Sequence, residues 1–415
     1  MSSRRRADAV RNDELFLDAG LELLRERGPD RIAALELARS AGLTTGAVYA
    51  RYENPAEIMV GLWQNRMATP MRMFLENGVD ALTADVEVAH LTAAKALSNP
   101  NGPLRPGVSV LVAATRVPEL AEVVRPDLQS WIDDLRIDAG SDAVHEKQKA
   151  FMTAALGCLM FSTVDLFEHD DWVFLRRVAR LAHSDQPIGR FPLPAPRPPD
   201  EFRVDTGDVA RDAIVNGAAR VIAHGGIERA TTQRIARAAG LQPSELFAQY
   251  RTRPELFADV ARKILTTVFE SSRTITPAVT EDRSSSWQER FLVHKLSEYR
   301  SLLQASSRDH RLLRLEFLLA GMHDEVVGLA LRQVDITVNR SVSRDIARAL
   351  TFDETATYRA IRLIRASAFG AMLLQELVGG FDELDLRVLF EPVVQTLEES
   401  TKASATGANR VAESA

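Results

Sequence analysis

One pattern, roughly thirty residues long, occurs twice in this chain, and its second copy lies 198 positions after the first. A period of this length is the size of a whole domain rather than of a solenoid repeat. The chain is therefore expected to fold as two related units. The paired positions are Gly28 and Gly226, Arg31 and Arg229, Ala38 and Ala236, Arg39 and Arg237, Gly42 and Gly240, Tyr49 and Phe247, Tyr52 and Tyr250, and Glu57 and Glu255.

The composition is that of a soluble globular protein and excludes few functions. The chain has 415 residues, of which 46% are hydrophobic and 26% charged, so two or three domains can each bury a core. The net charge of -6 gives no indication of nucleic-acid binding, which must rest on local charge. The single cysteine, Cys158, can form no internal disulfide, and no segment is long enough to span a membrane. We expect a cytoplasmic protein.

Both halves are predicted to be helical, because apolar residues recur at spacings of three and four in each. Proline-dense residues 184–204 separate the halves and predict an extended linker. The small, polar residues 401–415 are expected to be disordered. The predicted fold class is all-α.

Two glycines in long apolar stretches suggest a close helix contact. Gly157 and Gly370 occupy matching places near the end of each half, where a glycine inside a helix costs about 1 kcal/mol relative to alanine. A close approach between helices would offset that cost. The contact could lie within the core of one unit or form an interface between the two units, and the sequence leaves both alternatives open.

Within the first copy, the sequence predicts two short helices joined by a tight turn. The first is expected at 33–40 and the second at 45–52, with Gly42 in the turn and Thr44 as N-cap. Such a pair can place its second helix in the major groove of DNA. The spacing from Gly28 through Gly42 to Tyr52, with the run GAVYARY at 46–52, resembles the tetracycline-repressor (TetR) family of bacterial regulators.

The resemblance implies a non-enzymatic, DNA-binding transcriptional regulator, most simply a repressor. Each unit would combine a three-helix helix-turn-helix domain with a helical effector-binding and dimerisation bundle. The domains implied are 8–66 (first DNA-binding domain), 67–183 (first effector domain), 184–204 (linker), 205–266 (second DNA-binding domain), 267–400 (second effector domain) and 401–415 (tail).

The DNA-contacting residues implied for the first copy suit that role chemically. Thr44 and Thr45 can hydrogen-bond phosphate or a base, Ala47 can approach a thymine methyl, and Tyr49 and Arg51 can contact phosphate. Tyr52 is expected to pack beneath the motif instead. The complete predicted set is Ala33, Thr44, Thr45, Gly46, Ala47, Tyr49 and Arg51 in the first copy, and Thr231, Thr232, Gln242, Ser244, Glu245, Gln249 and Arg251 in the second.

The second copy departs from the family pattern at three positions. Pro243, Glu245 and Phe247 stand where the first copy has Thr45, Ala47 and Tyr49. Phe247 lacks the hydroxyl that would bond phosphate, and a glutamate repels phosphate although it can accept from cytosine. Whether the second copy binds DNA stays open at this stage.

Ligands are the least determined part of the prediction. By the resemblance, a small apolar effector would bind among helices of the effector domains and release DNA. No cofactor, metal site or catalytic cluster is predicted, since the eight histidines form no HxxxH or HExxH pair. Candidate pocket walls, most of which are expected to be ordinary core, are Trp131, Phe151, Met152, Phe317, Met322 and Phe369.

The doubled unit predicts that one chain can form a pseudo-dimer. An extended linker of about twenty residues reaches on the order of 60 Å, far enough to bring the second unit beside the first. Because the two recognition segments differ, the expected DNA site is asymmetric rather than palindromic. A homodimer that uses only the first copy is the competing arrangement. A helical ligand- or protein-binding module that no longer binds DNA is the competing function.

Overall fold

The computed structural model describes residues 2–99, 102–139, 141–183, 189, 191–196, 203–270 and 285–413. Every regular element in these ranges is a helix, which confirms the all-α prediction. No helix among them is long and apolar enough to cross a membrane. Much of the predicted linker lies outside the described residues, and the described part at 191–196 is not helical.

The first half contains ten α-helices in its described ranges. They are α1 (Ser2–Arg27), α2 (Ala34–Ser40), α3 (Thr45–Tyr49), α4 (Pro55–Leu62), α5 (Ala68–Thr83), α6 (Glu87–Ser98), α7 (Leu104–Ala114), α8 (Pro118–Ala139), α9 (Asp142–Ser162) and α10 (His169–Ala182). A π-helical segment, Trp63–Met67, joins α4 to α5.

The second half repeats the order of the first within the described residues. Its helices are α11 (Val209–Gly225), α12 (Thr232–Ala239), α13 (Pro243–Gln249), α14 (Arg253–Glu270), α15 (Trp287–Leu303), α16 (Arg308–His323), α17 (Glu325–Val334), α18 (Arg340–Leu350), α19 (Glu354–Leu377) and α20 (Arg387–Glu413).

One predicted boundary is wrong, because α3 ends at Tyr49 rather than at residue 52. Helix α20 continues through Glu413 and so includes residues for which a disordered tail is predicted. That tail, like the predicted domain boundaries, stays a prediction.

The two halves pack directly against each other through their last two helices. The most extensive helix pairing in the chain joins α9 to α19, and α10 packs on α20. A Cβ added to Gly157 would overlap the carbonyl oxygen of Ala366, and one added to Gly370 would overlap that of Thr153. The two backbones therefore touch where the glycines cross, so the glycine contact is an interface between the units.

Polar contacts also cross this interface. The Arg362 guanidinium of α19 donates to the Asp171 carboxylate of α10 at 2.6 Å, and both side chains are buried. Beside them, Phe161 and Phe369 meet edge to face with ring centroids 5.2 Å apart. A buried ion pair contributes little net stability but disfavours registers that would leave one of its charges unpaired.

We expect Gly157→Ala to destabilise the chain by roughly 3 kcal/mol, because the added methyl group meets backbone atoms that cannot rotate away. The measurement is thermal unfolding followed by circular dichroism. Gly225→Ala is the matched control: it is also a helical glycine, but its Cβ would meet the nearest atom at 3.7 Å. An unchanged melting temperature for Gly157→Ala would contradict the close crossing.

Candidate nucleic-acid interface

The first helix-turn-helix motif, formed by α2 and α3, is built by local hydrogen bonds. Gly42 adopts φ 65°, the left-handed conformation that the turn requires and that other residues rarely adopt. The Thr44 hydroxyl then accepts from the backbone N–H of Ala47 at 3.2 Å and begins α3. Both features were predicted, and both are confirmed.

The second motif, formed by α12 and α13, uses the same frame with different caps. Gly240 adopts φ 72° in the turn, and the Thr231 hydroxyl accepts from the backbone N–H of Arg234 at 3.3 Å. The Glu245 carboxylate folds back to accept from the backbone N–H of Gln242 at 2.7 Å. Glu245 thus caps its own helix, and this bond holds the carboxylate at the helix start.

Matching residues anchor each motif to its domain. Val48 and Leu246, at corresponding positions, are both buried under the short second helix. Tyr52 is half-buried and meets Phe16 edge-on at 6.5 Å. Its counterpart Tyr250 is fully buried, and its hydroxyl donates to Asp259 at 2.6 Å. The structure therefore confirms the prediction that Tyr52 packs beneath the motif.

The predicted DNA-contacting side chains fall into exposed and partly covered groups. Tyr49 is 61% exposed, and Phe247, at the corresponding position of the second motif, is 53% exposed. The half-buried members of the predicted set are Thr45, Ala47 and Thr232. The exposed members are Ala33, Thr44, Gly46, Tyr49 and Arg51 in the first motif, and Thr231, Gln242, Ser244, Glu245, Gln249 and Arg251 in the second.

In the first motif, neighbouring acids neutralise most of the positive charge. Arg51, a predicted phosphate contact, pairs with Asp13 at 2.5 Å. Arg31 pairs at 2.6 Å with Glu228, which belongs to the other half. Arg39 is exposed and has no ion pair among the described residues. The first motif therefore offers less free positive charge than its sequence suggests.

The second motif is the more electropositive of the two. Arg234, Arg237 and Arg251 are all exposed, and none forms an ion pair within the described part of the chain. The predicted set of DNA-contacting residues does not include Arg39 and Arg237. The repeat could have identified them, because they occupy corresponding positions at the ends of α2 and α12.

A buried ion-pair network, which we term the central clamp, joins the domain of the first motif to the helices of the second half. Arg116, which follows α7, donates to both Asp30 carboxylate oxygens at 2.9 and 2.6 Å. Its Nε donates to Glu316 of α16 at 2.6 Å. The corresponding turn of the second half, at Gly226, packs against Arg116 and Glu316. A Cβ added to Gly226 would be 2.9 Å from a Glu316 oxygen.

His323 supports the turn of the first domain beside the clamp. A Cβ on Gly28 would lie 2.8 Å from the His323 ring, and the Ser109 hydroxyl is 3.0 Å from its Nε2. Burial, together with the nearby Arg105 and Arg31 guanidinium groups, lowers the pKa of His323 to about 4. His323 is therefore neutral near pH 7, and protonation would place a buried cation among arginines.

The predicted effector-pocket residues are core residues. All six are buried, and none lines the larger cavities found among the described residues. Trp131 stacks on Trp63 with ring centroids 6.1 Å apart, while Phe369 packs between the halves. Large apolar side chains in helical bundles fill the core first, so their presence alone did not locate a pocket.

The larger cavities are lined instead by many polar residues, including arginine, aspartate, histidine and serine. No group of three or more histidine, cysteine, aspartate or glutamate residues that could hold a metal ion occurs in the described ranges. Cys158 is buried, and burial raises the pKa of its thiol well above the usual value, so it is a poor nucleophile.

Each helix-turn-helix motif lies within a stretch that resembles a known family. A family model described as "Bacterial regulatory proteins, tetR family" matches residues 16–60 and again residues 214–260. No curated protein matches the chain. Among solved structures, one from Rhodococcus sp., assigned to the TetR-family transcriptional regulators, is 16% identical with a TM-score of 0.34, covering 46% of this chain and 98% of its own.

We expect Arg116→Ala to lower the free energy of unfolding by roughly 3 kcal/mol, because the buried Glu316 and the partly buried Asp30 would lose their shared cation. Arg31→Ala is the control, since it breaks a pair with a half-exposed arginine and should cost less than about 1 kcal/mol. Urea unfolding measures both. Equal losses in the two variants would contradict a structural role for the clamp.

Proposed function

We propose that this chain, which carries two DNA-binding domains of the tetR family, is a transcriptional regulator whose two motifs bind one operator together. The observation that carries this proposal is the coincidence of the two family matches with two exposed recognition helices, α3 and α13. In each, the buried anchor residue faces the domain and an aromatic ring faces outward. DNA-binding regulation is the function of the matched family.

The helix pairing between the halves supports an intrachain pseudo-dimer. Helices α9, α10, α19 and α20 bring the two halves together in one chain, in the way that two subunits of a dimer would meet. The crossing at Gly157 and Gly370 buries the surface that a second chain would need. One chain would then supply both motifs to one DNA site.

The charge distribution supports a DNA-binding role for the second motif. Arg234, Arg237 and Arg251 carry charges that no described acid neutralises, and phosphate contacts are the main source of affinity for DNA. The Glu245 carboxylate accepts a hydrogen bond from the backbone of Gln242, and this bond weakens its repulsion of a nearby phosphate. The second motif would therefore contribute backbone affinity, and the first would contribute Tyr49 and Thr45.

We further propose that the regulator is a cytoplasmic repressor released by a small molecule. The central clamp supports a link between the effector bundle and the DNA-binding domains, because Arg116 and Glu316 belong to the bundle while Asp30 and Gly226 belong to the domains. The apolar character predicted for the effector has no support in the polar lining of the larger cavities.

The alternative function is a helical binding module that no longer contacts DNA. It is favoured by the neutralisation of Arg31 and Arg51 in the first motif. An electrophoretic shift assay with the gene's upstream DNA at two salt concentrations separates the two functions. Specific retardation that weakens steeply with salt supports the regulator. The absence of retardation at low salt would favour the module.

Footprinting should reveal a protected site with two unlike half-sites about one helical turn, 34–36 Å, apart. The reason is that Tyr49 and Phe247 stand at corresponding positions of two different recognition helices. Sedimentation should give one chain, 45.9 kDa, per operator. A true inverted repeat bound by two chains would instead support a homodimer that uses only the first motif.

Tyr49→Phe should weaken operator binding about fivefold, since it removes a hydroxyl able to bond phosphate. Phe247→Tyr should strengthen binding or leave it unchanged. Fluorescence anisotropy at fixed salt measures both, and Tyr52→Phe serves as a control because Tyr52 is half-buried against Phe16. Equal loss in Tyr49→Phe and Tyr52→Phe would argue against a specific contact by Tyr49.

A further inference from the structure

A cavity of about 380 Å³ lies in the first half, between α6, the start of α7 and the connection from α9 to α10. Its volume falls in the range of sites for small molecules, roughly 300–1,000 Å³. The walls that matter chemically are Leu97, Phe167, Trp172, His169 and Arg105. Apolar rings thus line the same cavity as a guanidinium group.

Arg105 is the cation of this cavity, and its hydrogen bonding is incomplete. Its Nη2 donates to the carbonyl oxygen of Met322 in the other half, whereas its Nε is buried and has no partner among the described residues. Burial lowers the pKa of this guanidinium. A partly buried guanidinium that forms no ion pair with a described residue is stabilised when an anion binds beside it.

The acid in the cavity lining forms no ion pair with Arg105. Asp165 lines the same cavity, but its side chain is 82% exposed and pairs with Arg332 at 3.4 Å. Arg105 therefore remains available to a ligand. A fork of guanidinium donors matches a carboxylate better than any neutral group.

The aromatic part of the cavity wall is fixed in place. Trp172 is fully buried, and its Nε1 donates to His90 Nδ1 at 2.7 Å, with the two rings nearly coplanar and their centroids 5.9 Å apart. This bond fixes the orientation of the indole, which lies behind the cavity and exposes no face to it. Phe167 is half-buried and supplies the aromatic surface that the apolar body of a ligand can contact.

We propose that this cavity binds a small organic carboxylate, with Arg105 holding the carboxylate and Phe167 packing on its apolar body. The ligand class differs from the apolar effector expected from the sequence. Ligands of this class bury an apolar body while their charge is satisfied by one arginine.

The same arginine connects the cavity to the first DNA-binding domain. Arg105 holds the carbonyl of Met322, and the next residue, His323, packs on Gly28. Ser109, one turn after Arg105 on α7, hydrogen-bonds the His323 ring at 3.0 Å. A carboxylate that draws Arg105 away from Met322 would loosen the support of the Gly28 turn. This regulatory step rests on the proposed function, whereas ligand binding does not.

Isothermal titration of the full chain with benzoate, indole-3-acetate and octanoate tests the site. We expect at least one carboxylate to bind about tenfold more tightly than its own amide, and Arg105→Gln to remove that preference. Arg72→Gln is the control, because Arg72 is ion-paired with Glu76 and Asp134 outside the cavity. Binding should quench the fluorescence of the native chain but not that of Trp172→Phe to the same extent.

Two results would overturn the site: equal binding of acid and amide, or equal binding by the native chain and Arg105→Gln. If Arg105→Gln does not fold, the comparison of acid with amide on the native chain decides. The regulatory step is tested separately by operator affinity with and without saturating ligand. Ligand binding without any change in operator affinity would overturn that step alone, and failure to bind DNA at all would overturn the proposed function while the site stands.

Discussion

The arrangement of the whole chain depends on the close crossing of α9 and α19. At Gly157 and Gly370 the two backbones touch, and no side chain larger than hydrogen fits between them. This contact sets the distance between the halves, and the buried Arg362–Asp171 pair and the Phe161–Phe369 contact follow from it. Close packing of this kind is rigid, because protein interiors have little free volume to absorb a shift.

The central clamp extends that rigidity to the two helix-turn-helix domains. Arg116 binds carboxylates from the first domain and from the second half at once, and Gly226 of the second domain lies on the same pair. The same buried side chain, Arg116, therefore fixes the positions of both domains. A shift of the helices at this point would move both domains, which is the physical requirement for the regulation proposed above.

The two halves share the backbone structure of the helix-turn-helix motif but differ in its side-chain charges. The turn glycines and the buried anchors correspond, whereas the helix caps differ. Acids neutralise arginines of the first motif but not those of the second. The repeat in the sequence predicted the frame because local hydrogen bonds and burial depend on residues close in the chain. It did not predict the charge balance, since Asp13 and Glu228 reach Arg51 and Arg31 from distant positions.

The sequence by itself determined the helical class, the doubled unit and the two turns at Gly42 and Gly240. Periodicity and capping are local properties, so they can be inferred from the order of the residues alone. Only the tertiary structure decided that the glycine pair joins the two halves, that Trp131 and Phe369 are core, and that Arg105 lies in a cavity beside Trp172. Those features depend on which surfaces meet after the chain folds, and no spacing along the sequence specifies that meeting.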